Sequence, residues 1–442
     1  MTDFFYQTYL YFTMALSTQN LWFFIAFFFP FVILLELPFY LINLIYVIRG
    51  WLRIHFNNQQ QPTFHPLISV VITAYSESKE ELEISLRSVV EQLYCGKIEV
   101  LFVIDDAKRN YQTVYSMKQL ALKYQNIQNC SIRIIEKKTR GGHASSMNLG
   151  LKMARGEILV MIDADTSIDN LTLIKITKHF TDPNVIAVSG AIRVRNWRET
   201  FLTKLQALEY MIGIQLGRFG LTEINITNNI SGAFGVFRTQ FLRQIGGWMS
   251  GTAEDLDLTL RIHAYCRRYP QFRIVNEPES IAWTAAPNTL RRLLKQRMRW
   301  DGDLYYIYIR RHWRMFSSKI MGGKKMFLLS WYALYYQLIL PFLILLYYLY
   351  LLLHFDFSTM LAISIIVYSY YLITTTFLFI VFLLLVSERP KQDLKLIGWI
   401  VITPIYQQFI RTMAAVFITN EIFFKGHQDT TMAPWWVIRK SK

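Results

Sequence analysis

Three apolar stretches constrain this chain before anything else does. LWFFIAFFFPFVILLELPFYLINLIYVI fills residues 21–48, and two further runs fill 326–354 and 360–386. Each exceeds the roughly 20 residues that a helix needs to cross a bilayer, so membrane spans are expected. The 442 residues are 53% hydrophobic and 16% aromatic, more than a soluble protein of this size carries. Pro30, Glu36 and Pro38 interrupt the first run, which is therefore kinked or split. No cationic region precedes it and no small-residue cleavage site follows it, the pattern of a retained anchor and not of a removed signal peptide. Arg49 and Arg53 follow at once, which places its carboxyl end in the cytoplasm. The aromatic FFYQTYLYFTMAL at residues 4–16 reads as interfacial.

The two C-terminal runs are joined by HFDFST and flanked by the cationic GGKK and SERPKQDLK, so charge places those two loops inside and HFDFST outside. Residues 396–418 are a weaker span, interrupted by Gln407, Gln408 and Arg411. A crossing there would leave Arg439, Lys440 and Lys442 outside, against the charge rule, so an interfacial or re-entrant course stays open.

Between residues 66 and 284 the pattern is that of a soluble α/β domain. PLISVVITAY, IEVLFVIDD, SIRIIE and GEILVMIDAD are β-branched runs of buried parallel-strand type, alternating with helical patterns such as KEELEISLRSVVEQL. This rhythm predicts a doubly wound, mostly parallel sheet with ligands at the carboxyl ends of its strands. The domain limits follow: a membrane anchor over 1–53, a cytoplasmic catalytic domain over 54–286, amphipathic interfacial helices over 287–325, a transmembrane region over 326–424 and a short tail over 425–442. The net charge of +16 suits nucleic acid, acidic lipid or a polyphosphate substrate, and composition alone does not choose. Cys95, Cys130 and Cys266 have neither disulfide nor zinc-site spacing, which fits a soluble part facing a reducing cytoplasm.

Three motifs carry chemistry. In MIDAD, residues 161–165, two carboxylates two residues apart leave a strand end together, where one can bind a divalent ion and the other a ribose; an ordinary strand-end turn also favours Asp. In GTAEDLDLTLRIHAY, residues 251–265, acids at a helix start suit capping and the macrodipole. The crowding of Glu254, Asp255 and Asp257 exceeds that need, since like charges raise one another's pKa and favour a general base. A place on the solvated face accounts for Asp257. In PNTLRRLLKQRMRWDGDL, Leu290, Leu293, Leu294 and Met298 form an apolar stripe beside a basic face, as on a helix lying against acidic lipid. Gln296, Arg299 and Trp300 lie to one side of that stripe, offering a guanidinium for a diphosphate and an indole for stacking. Asp301 and Asp303 have no role in this reading.

In the order ITAYSES, VIDDA, DAD, AED and QRMRW, the chain resembles the processive, membrane-embedded family 2 glycosyltransferases of the GT-A type. That group holds bacterial cellulose, hyaluronan, chitin-oligosaccharide and poly-N-acetylglucosamine synthases, and the resemblance covers residues 67–300 and the flanking spans. It implies a GT-A nucleotide-diphospho-sugar transferase domain embedded between transmembrane helices, in the plasma (inner) membrane with the catalytic domain cytoplasmic. It also implies that Ala74, Tyr75, Glu77 and Asp105, with Asp106 as a substitute, line the nucleotide pocket. Asp163 would hold ribose and Asp165 a Mg²⁺ or Mn²⁺ ion, Asp255 would be the general base with Glu254 its neighbour, and Gln296 and Arg299 would contact the donor diphosphate. Trp300 would stack under the acceptor sugar, and Ser231 and Gly232, in NNISGAFGVFR, would form the acceptor-site floor, although a tight turn also explains their small side chains. Two departures stand out: His143 in GGHASSMNLG occupies the family's lysine position as a donor-site residue, and AED replaces TED, with Thr252 one place early.

The implied partners are a nucleotide-sugar donor, a growing glycan or a lipid acceptor, and membrane lipid, with no nucleic acid. No cyclic-dinucleotide module of the RxxxR type follows the last span, so such regulation is expected to come through a partner such as a small accessory membrane subunit. The expected reaction is inverting, metal-dependent transfer from a nucleotide-diphosphate sugar that elongates a β-linked extracellular polysaccharide and translocates it. Transfer of one sugar to a membrane lipid is the alternative.

Overall fold

The computed structural model describes residues 6, 10, 28, 31–56, 64–249 and 251–426. The interfacial reading of residues 4–16, most of the first half of the 21–48 run and the tail from residue 427 lie outside the described residues.

The expected α/β sheet is present. Strands β1 (Ile68–Ala74), β2 (Ile98–Ile104), β3 (Cys130–Glu136) and β4 (Ile158–Asp163) pair in parallel, and β1 lies between β2 and β4. All seven residues of β1 and of β2 are buried, the polar Ser69, Thr73 and Glu99 included, because both faces of these strands are covered. Their crossovers are α2 (Lys79–Val90), opened by a reciprocal capping box between Ser78 and Glu81, α3 (Tyr111–Lys123) and α4 (His143–Met153).

The second half of the sheet adds antiparallel pairings to this mostly parallel frame. β5 (Ser167–Ile168), β6 (Val185–Val194), β7 (Phe234–Arg238) and β8 (Arg273–Thr284) complete the order β3-β2-β1-β4-β7-β6-β8-β5. β7 runs antiparallel to both β4 and β6, while β6 and β8 are parallel. The carboxyl end of β4, with its two aspartates, therefore faces the loop that enters β7. Helices α5 (Phe201–Glu209), α6 (Gly217–Glu223), α7 (Glu254–Arg268) and α8 (Leu290–Tyr305) fill the remaining connections and the layer beneath the sheet.

Among the described residues three helical segments, Val32–Phe56 (α1), Gly323–His354 and Phe357–Leu385, are long and apolar enough to cross a membrane. Pro390–Trp399 and Thr403–Phe424 meet at 77° and make a fourth if they form one broken span. Leu346, Leu352, Leu353, Ile373 and Leu384 are exposed on these segments, as lipid-facing side chains would be. The weak 396–418 stretch thus becomes a short bent entry followed by a 22-residue helix, Thr403–Phe424, designated α9.

α9 packs along α8. A Cβ placed on Gly302 would meet Glu421 at 3.4 Å, and the Tyr406 hydroxyl donates to Glu209 Oε2 at 2.9 Å, where Arg297 also binds at 2.8 Å. The segment Val32–Phe56 packs on α6 so closely that a Cβ on Gly220 would come within 1.6 Å of Asn43 Oδ1. The loop following Phe357–Leu385 is fixed to the sheet by Arg193 of β6. This guanidinium is 2% exposed and donates to Glu388 Oε2 and Asp393 Oδ1, each at 2.9 Å. Arg389 extends the contact to Asp169 at 2.6 Å and lies over the Trp283 ring.

Removing one partner of a buried ion pair strands the others in a medium that solvates them poorly. Arg193→Met is therefore expected to lower stability by about 3–5 kcal/mol, read as a fall in the unfolding temperature of the detergent-purified chain. A shift below about 2 °C would show that this contact does not hold the loop.

Candidate functional site

The carboxyl ends of β1, β2 and β4, the start of α4, the loop before β7 and the start of α7 converge on one cleft. At the end of β1, the Tyr75 backbone N–H donates to Glu77 Oε2 at 2.7 Å, and Arg140 lies over the Tyr75 ring at 5.0 Å. Burial and then the nearby Asp163 charge raise the Glu77 carboxyl above its ordinary value, against the hydrogen bond from Tyr75. At the end of β2, Asp105 is buried and accepts from Lys137 Nζ at 2.8 Å and from the Gly141 and Gly142 backbone N–H groups. Asp105 thus braces the loop that delivers His143. Gly142 takes φ +81°, a conformation that a side chain would strain, and α4 begins at the next residue.

His143 is the centre of the arrangement. Its Nδ1–H donates to Glu254 Oε1 at 2.8 Å and its Nε2–H to Asp163 Oδ1 at 3.0 Å. Burial opposes charge on the ring, but the Glu254 and Asp163 carboxylates outweigh it and hold the imidazole well above its usual range. The residue is thus a cation, as the lysine it replaces would be, but engaged by two carboxylates from separate elements. Asp165, at the far end of the DxD motif, is pushed up to about 6 by burial and by Asp163, with Arg195 opposing.

Asp255 sits at the start of α7, where Ala253 adopts the left-handed φ +54°, a strained conformation for a residue with a side chain. Its Oδ2 accepts from Asn229 Nδ2 at 2.9 Å and from the Gly232 N–H at 3.1 Å, and its Oδ1 from the Leu256 N–H at 2.7 Å. Burial and the neighbouring Glu254 nonetheless raise its carboxyl above the ordinary value. A Cβ on Gly232 would approach Glu254 Oε1 to 3.4 Å, so the glycine leaves space beside both acids.

From α8, Arg297 points back to Glu209 and lies 4.8 Å over the Trp300 ring, which packs against the main core. The Gln296 Oε1 is buried without a hydrogen bond to the described residues. The structure brings His143, Asp163, Glu254, Asp255 and Gly232 into direct contact. Ala74, Tyr75, Glu77 and Asp105 stand at the carboxyl ends of β1 and β2, while Gln296, Arg299 and Trp300 are carried by α8, where Arg299 lies near Asp303.

Three residues escaped sequence reasoning. Asp257 is not on a solvated face: it is 1% exposed and bound by Arg261 Nε at 2.8 Å, His312 Nε2 at 2.6 Å and Arg311 Nε at 3.1 Å. Asp303 is buried beside Thr252, Arg299, Glu254 and Asp255, and burial raises its carboxyl to about 8. Arg218 is buried on α6 with no carboxylate bonded to it among the described residues, donates to Ser189 Oγ at 3.3 Å, and is lowered to about 10 by burial. Only helical spacing could have flagged the first two, since Asp257 and Arg261 lie four apart, as do Arg299 and Asp303.

Among the described residues no group of three His, Cys, Asp or Glu side chains is arranged to hold a metal ion. Asp163 and Asp165 still fit a hard divalent cation: burial and mutual repulsion raise Asp165, a bound cation would relieve that repulsion, and phosphate oxygens commonly complete such a coordination shell.

The fold and this cleft define a sugar-nucleotide transferase class, and comparison with known proteins agrees. The model of Glycosyl transferase family 2 matches residues 69–245 and that of Glycosyl transferase family group 2 matches residues 158–388. The latter spans more than half of the chain, which belongs to that family. The chain is 28% identical over 255 residues to the poly-beta-1,6-N-acetyl-D-glucosamine synthase of Staphylococcus epidermidis, covering 57% of this chain and 58% of the relative. It is 29% identical over 257 residues to the enzyme of the same name from Staphylococcus aureus (strain COL), with the same coverage. The match thus spans under three fifths of those relatives' length. Among solved structures, the mannosyltransferase PcManGT from Pyrobaculum calidifontis, in complex with GDP-Man and Mn²⁺, superposes with a TM-score of 0.55 at 19% identity. That match covers 90% of this chain and 99% of the other, a likeness of fold.

Asp303 generates a test of the burial argument. The folded carboxyl keeps its proton up to about pH 8, whereas an unfolded one releases it near pH 4. The folded state therefore binds more protons between these limits, and stability falls as pH rises through them. Asp303→Asn removes that dependence, so from pH 6 to pH 8 wild type should lose about 2 kcal/mol relative to the variant, measured by unfolding at each pH. Parallel profiles would mean that Asp303 does not titrate in this window.

Proposed function

We propose that the chain is an inverting glycosyltransferase that takes a nucleotide-diphosphate sugar, a UDP-linked hexose or N-acetylhexosamine, and elongates a β-linked extracellular polysaccharide that passes between its own membrane helices. The catalytic domain faces the cytoplasm. The observation that carries this reading is the continuity of the cleft with the membrane segments: Asn229 holds Asp255, and the adjacent Asn228 donates to the Tyr332 hydroxyl at 3.2 Å. An acceptor leaving the cleft there enters the spans. The names of the staphylococcal relatives support the same substrate class.

In this mechanism Ala74, Tyr75, Glu77 and Asp105 receive the nucleotide, and Asp163 orients the ribose. Asp165 would hold Mg²⁺ or Mn²⁺, which when bound would supply positive charge to the departing diphosphate. Gln296 and Arg299 contact the same diphosphate, and Trp300 with Ser231 and Gly232 seats the acceptor sugar. The acceptor hydroxyl gives its proton to Asp255 as its oxygen attacks the anomeric carbon. The bond from that carbon to the phosphate oxygen breaks with its electron pair leaving on the nucleotide diphosphate. Direct displacement converts an α-linked donor into a β-linkage. Three hydrogen bonds oppose the raised basicity of Asp255 and fix its orientation, while burial keeps it a stronger base than a solvated aspartate. His143 sets the distance between the donor-side Asp163 and the acceptor-side Glu254.

The test is to supply purified membranes with a panel of UDP-sugars and size the product. A long polymer is expected, with nucleotide release lowered about 10²–10⁴-fold in Asp255→Asn, and lost on chelation and restored by Mn²⁺ or Mg²⁺. Wild-type turnover in Asp255→Asn and Asp165→Ala would refute the catalytic assignment, and a monoglycosylated lipid as sole product would replace the polymer reading by the lipid one.

A further inference from the structure

Asn229 presents two hydrogen-bonding atoms beside the general base, and only one of them is used. Its Nδ2–H donates to Asp255 Oδ2 at 2.9 Å. An ionised carboxylate only accepts, so the amide turns its nitrogen toward Asp255 and its oxygen away. That oxygen, Oδ1, is buried and makes no hydrogen bond to the described residues. The neighbouring chain leaves the amide little freedom: the Ile230 N–H donates to Thr259 Oγ1 at 3.0 Å, and that hydroxyl donates to the Asp255 carbonyl at 2.8 Å. On the other side, Asn228 Nδ2 is held on the Tyr332 hydroxyl at 3.2 Å. Asn229 is therefore fixed to the same turn of α7 that carries the base.

A buried amide oxygen left without a donor is costly, and in a native protein such a group has a reason. Arg218 Nε and the Thr252 hydroxyl are also buried without a hydrogen bond to the described residues, so the neighbourhood lacks partners of both kinds. Arg218 belongs to α6, and Thr252 to the turn before α7. Asn229 Oδ1 differs from both, because it shares one amide group with the atom that grips Asp255 and lies about 2.2 Å from it. An atom so placed is within reach of whatever gives a proton to Asp255. The facing wall is open. Gly232, whose N–H donates to Asp255 Oδ2 at 3.1 Å, has only hydrogen where a Cβ would stand 3.8 Å from that oxygen and 3.4 Å from Glu254 Oε1.

The attacking hydroxyl of the acceptor gives its hydrogen to Asp255. A second donor on the same sugar, close to that hydroxyl, then meets Asn229 Oδ1. We propose that Asn229 is an acceptor-recognition residue, whose Oδ1 accepts from a hydroxyl or amide N–H neighbouring the attacking hydroxyl. Asp255 and Asn229 together read two donors on one sugar, which orients the attacking oxygen and rejects an acceptor that lacks the second donor. A lipid with a single hydroxyl, or one ending in a phosphate, brings no such second donor. The inference rests on the polysaccharide reading above and deepens it by stating what the acceptor must carry. Because Nδ2 holds the base as well, Asn229 acts on rate through both atoms, and on the choice of acceptor through Oδ1 alone.

The test supplies the full chain in membranes with the donor selected by the UDP-sugar panel, and with the methyl β-glycoside of the same sugar as acceptor. Analogues of that glycoside each lack one hydroxyl or amide, and nucleotide release above the acceptor-free rate gives kcat/KM for each. In wild type one analogue should be inactive, having lost the attacking hydroxyl. One other should fall about tenfold below the parent, the worth of one hydrogen bond. In Asn229→Ala all rates fall, but this second analogue should match the parent within about twofold, since the atom that told them apart is gone. A merely structural role lowers every rate and leaves the wild-type ratio in place. If the alanine variant has a lowered unfolding temperature, Asn229→Gln, whose amide stands one methylene out of register, carries the same expectation. The assignment is overturned by a wild type that treats the parent and all the active analogues alike, by a tenfold ratio that persists in both variants, or by a parent glycoside that stimulates no release. A single sugar on lipid as the sole wild-type product would overturn it together with the polysaccharide reading.

Discussion

Carboxylates from three separate chain segments crowd the cleft, and each would repel the others if nothing positive stood between them. His143 supplies that charge at the one point where β4 and α7 approach, bonding Asp163 on one side and Glu254 on the other. The loop carrying it is in turn tied down by Asp105 through two glycine N–H groups and Lys137. The ends of β2, β4 and α7 are thereby fixed relative to one another. A lysine at this position would place a single flexible ammonium there, whereas the imidazolium ring has two donors in a rigid plane. The spacing of Asp163 and Glu254 is therefore set by the width of a ring.

The same logic extends outward from the cleft. Asp257, one turn into α7, is bound by Arg261 of its own helix and by Arg311 and His312 of the segment after α8. Asp303 of α8 lies against the strained start of α7. The helix bearing QRMRW and the helix bearing AED are thus locked together by buried acids. α8 is held from behind by α9, through Glu209 and through the close approach at Gly302.

Much of this was legible in the sequence, and the limits have physical causes. β1, β2 and β4 read correctly because strands covered on both faces are largely apolar and few other elements carry such runs, while β3, half-exposed at the sheet edge, was marked by its isoleucines. The switch to antiparallel pairing at β7 was not legible: FGVFR is five residues long, and nothing local states which neighbours it will take. DAD, AED and QRMRW stood out because acids and cations in a fixed order narrow the chemistry. Asp257, Asp301 and Asp303 did not, because a carboxylate in a helix is usually solvated, and only the tertiary structure shows which ones are buried. His143 stood out as a departure, but its two partners lie on other elements and no spacing rule reaches them.

Glu36 and Arg411 show how far such reasoning can go when an oddity is followed. Each weakened the case for its segment as a span, one by adding an acid and a proline-flanked kink, the other by breaking the apolar run with two glutamines and a cation. Taken separately, each argues against burial in lipid. Taken together they cancel, because a buried acid and a buried base facing each other leave far less charge to solvate than either alone. The segment that looked too polar to cross a membrane is the one that packs against α8 and contacts the first span, and its polarity faces protein. Hydropathy counts a residue's cost against lipid, and it misreads a helix whose polar side is turned toward its neighbours.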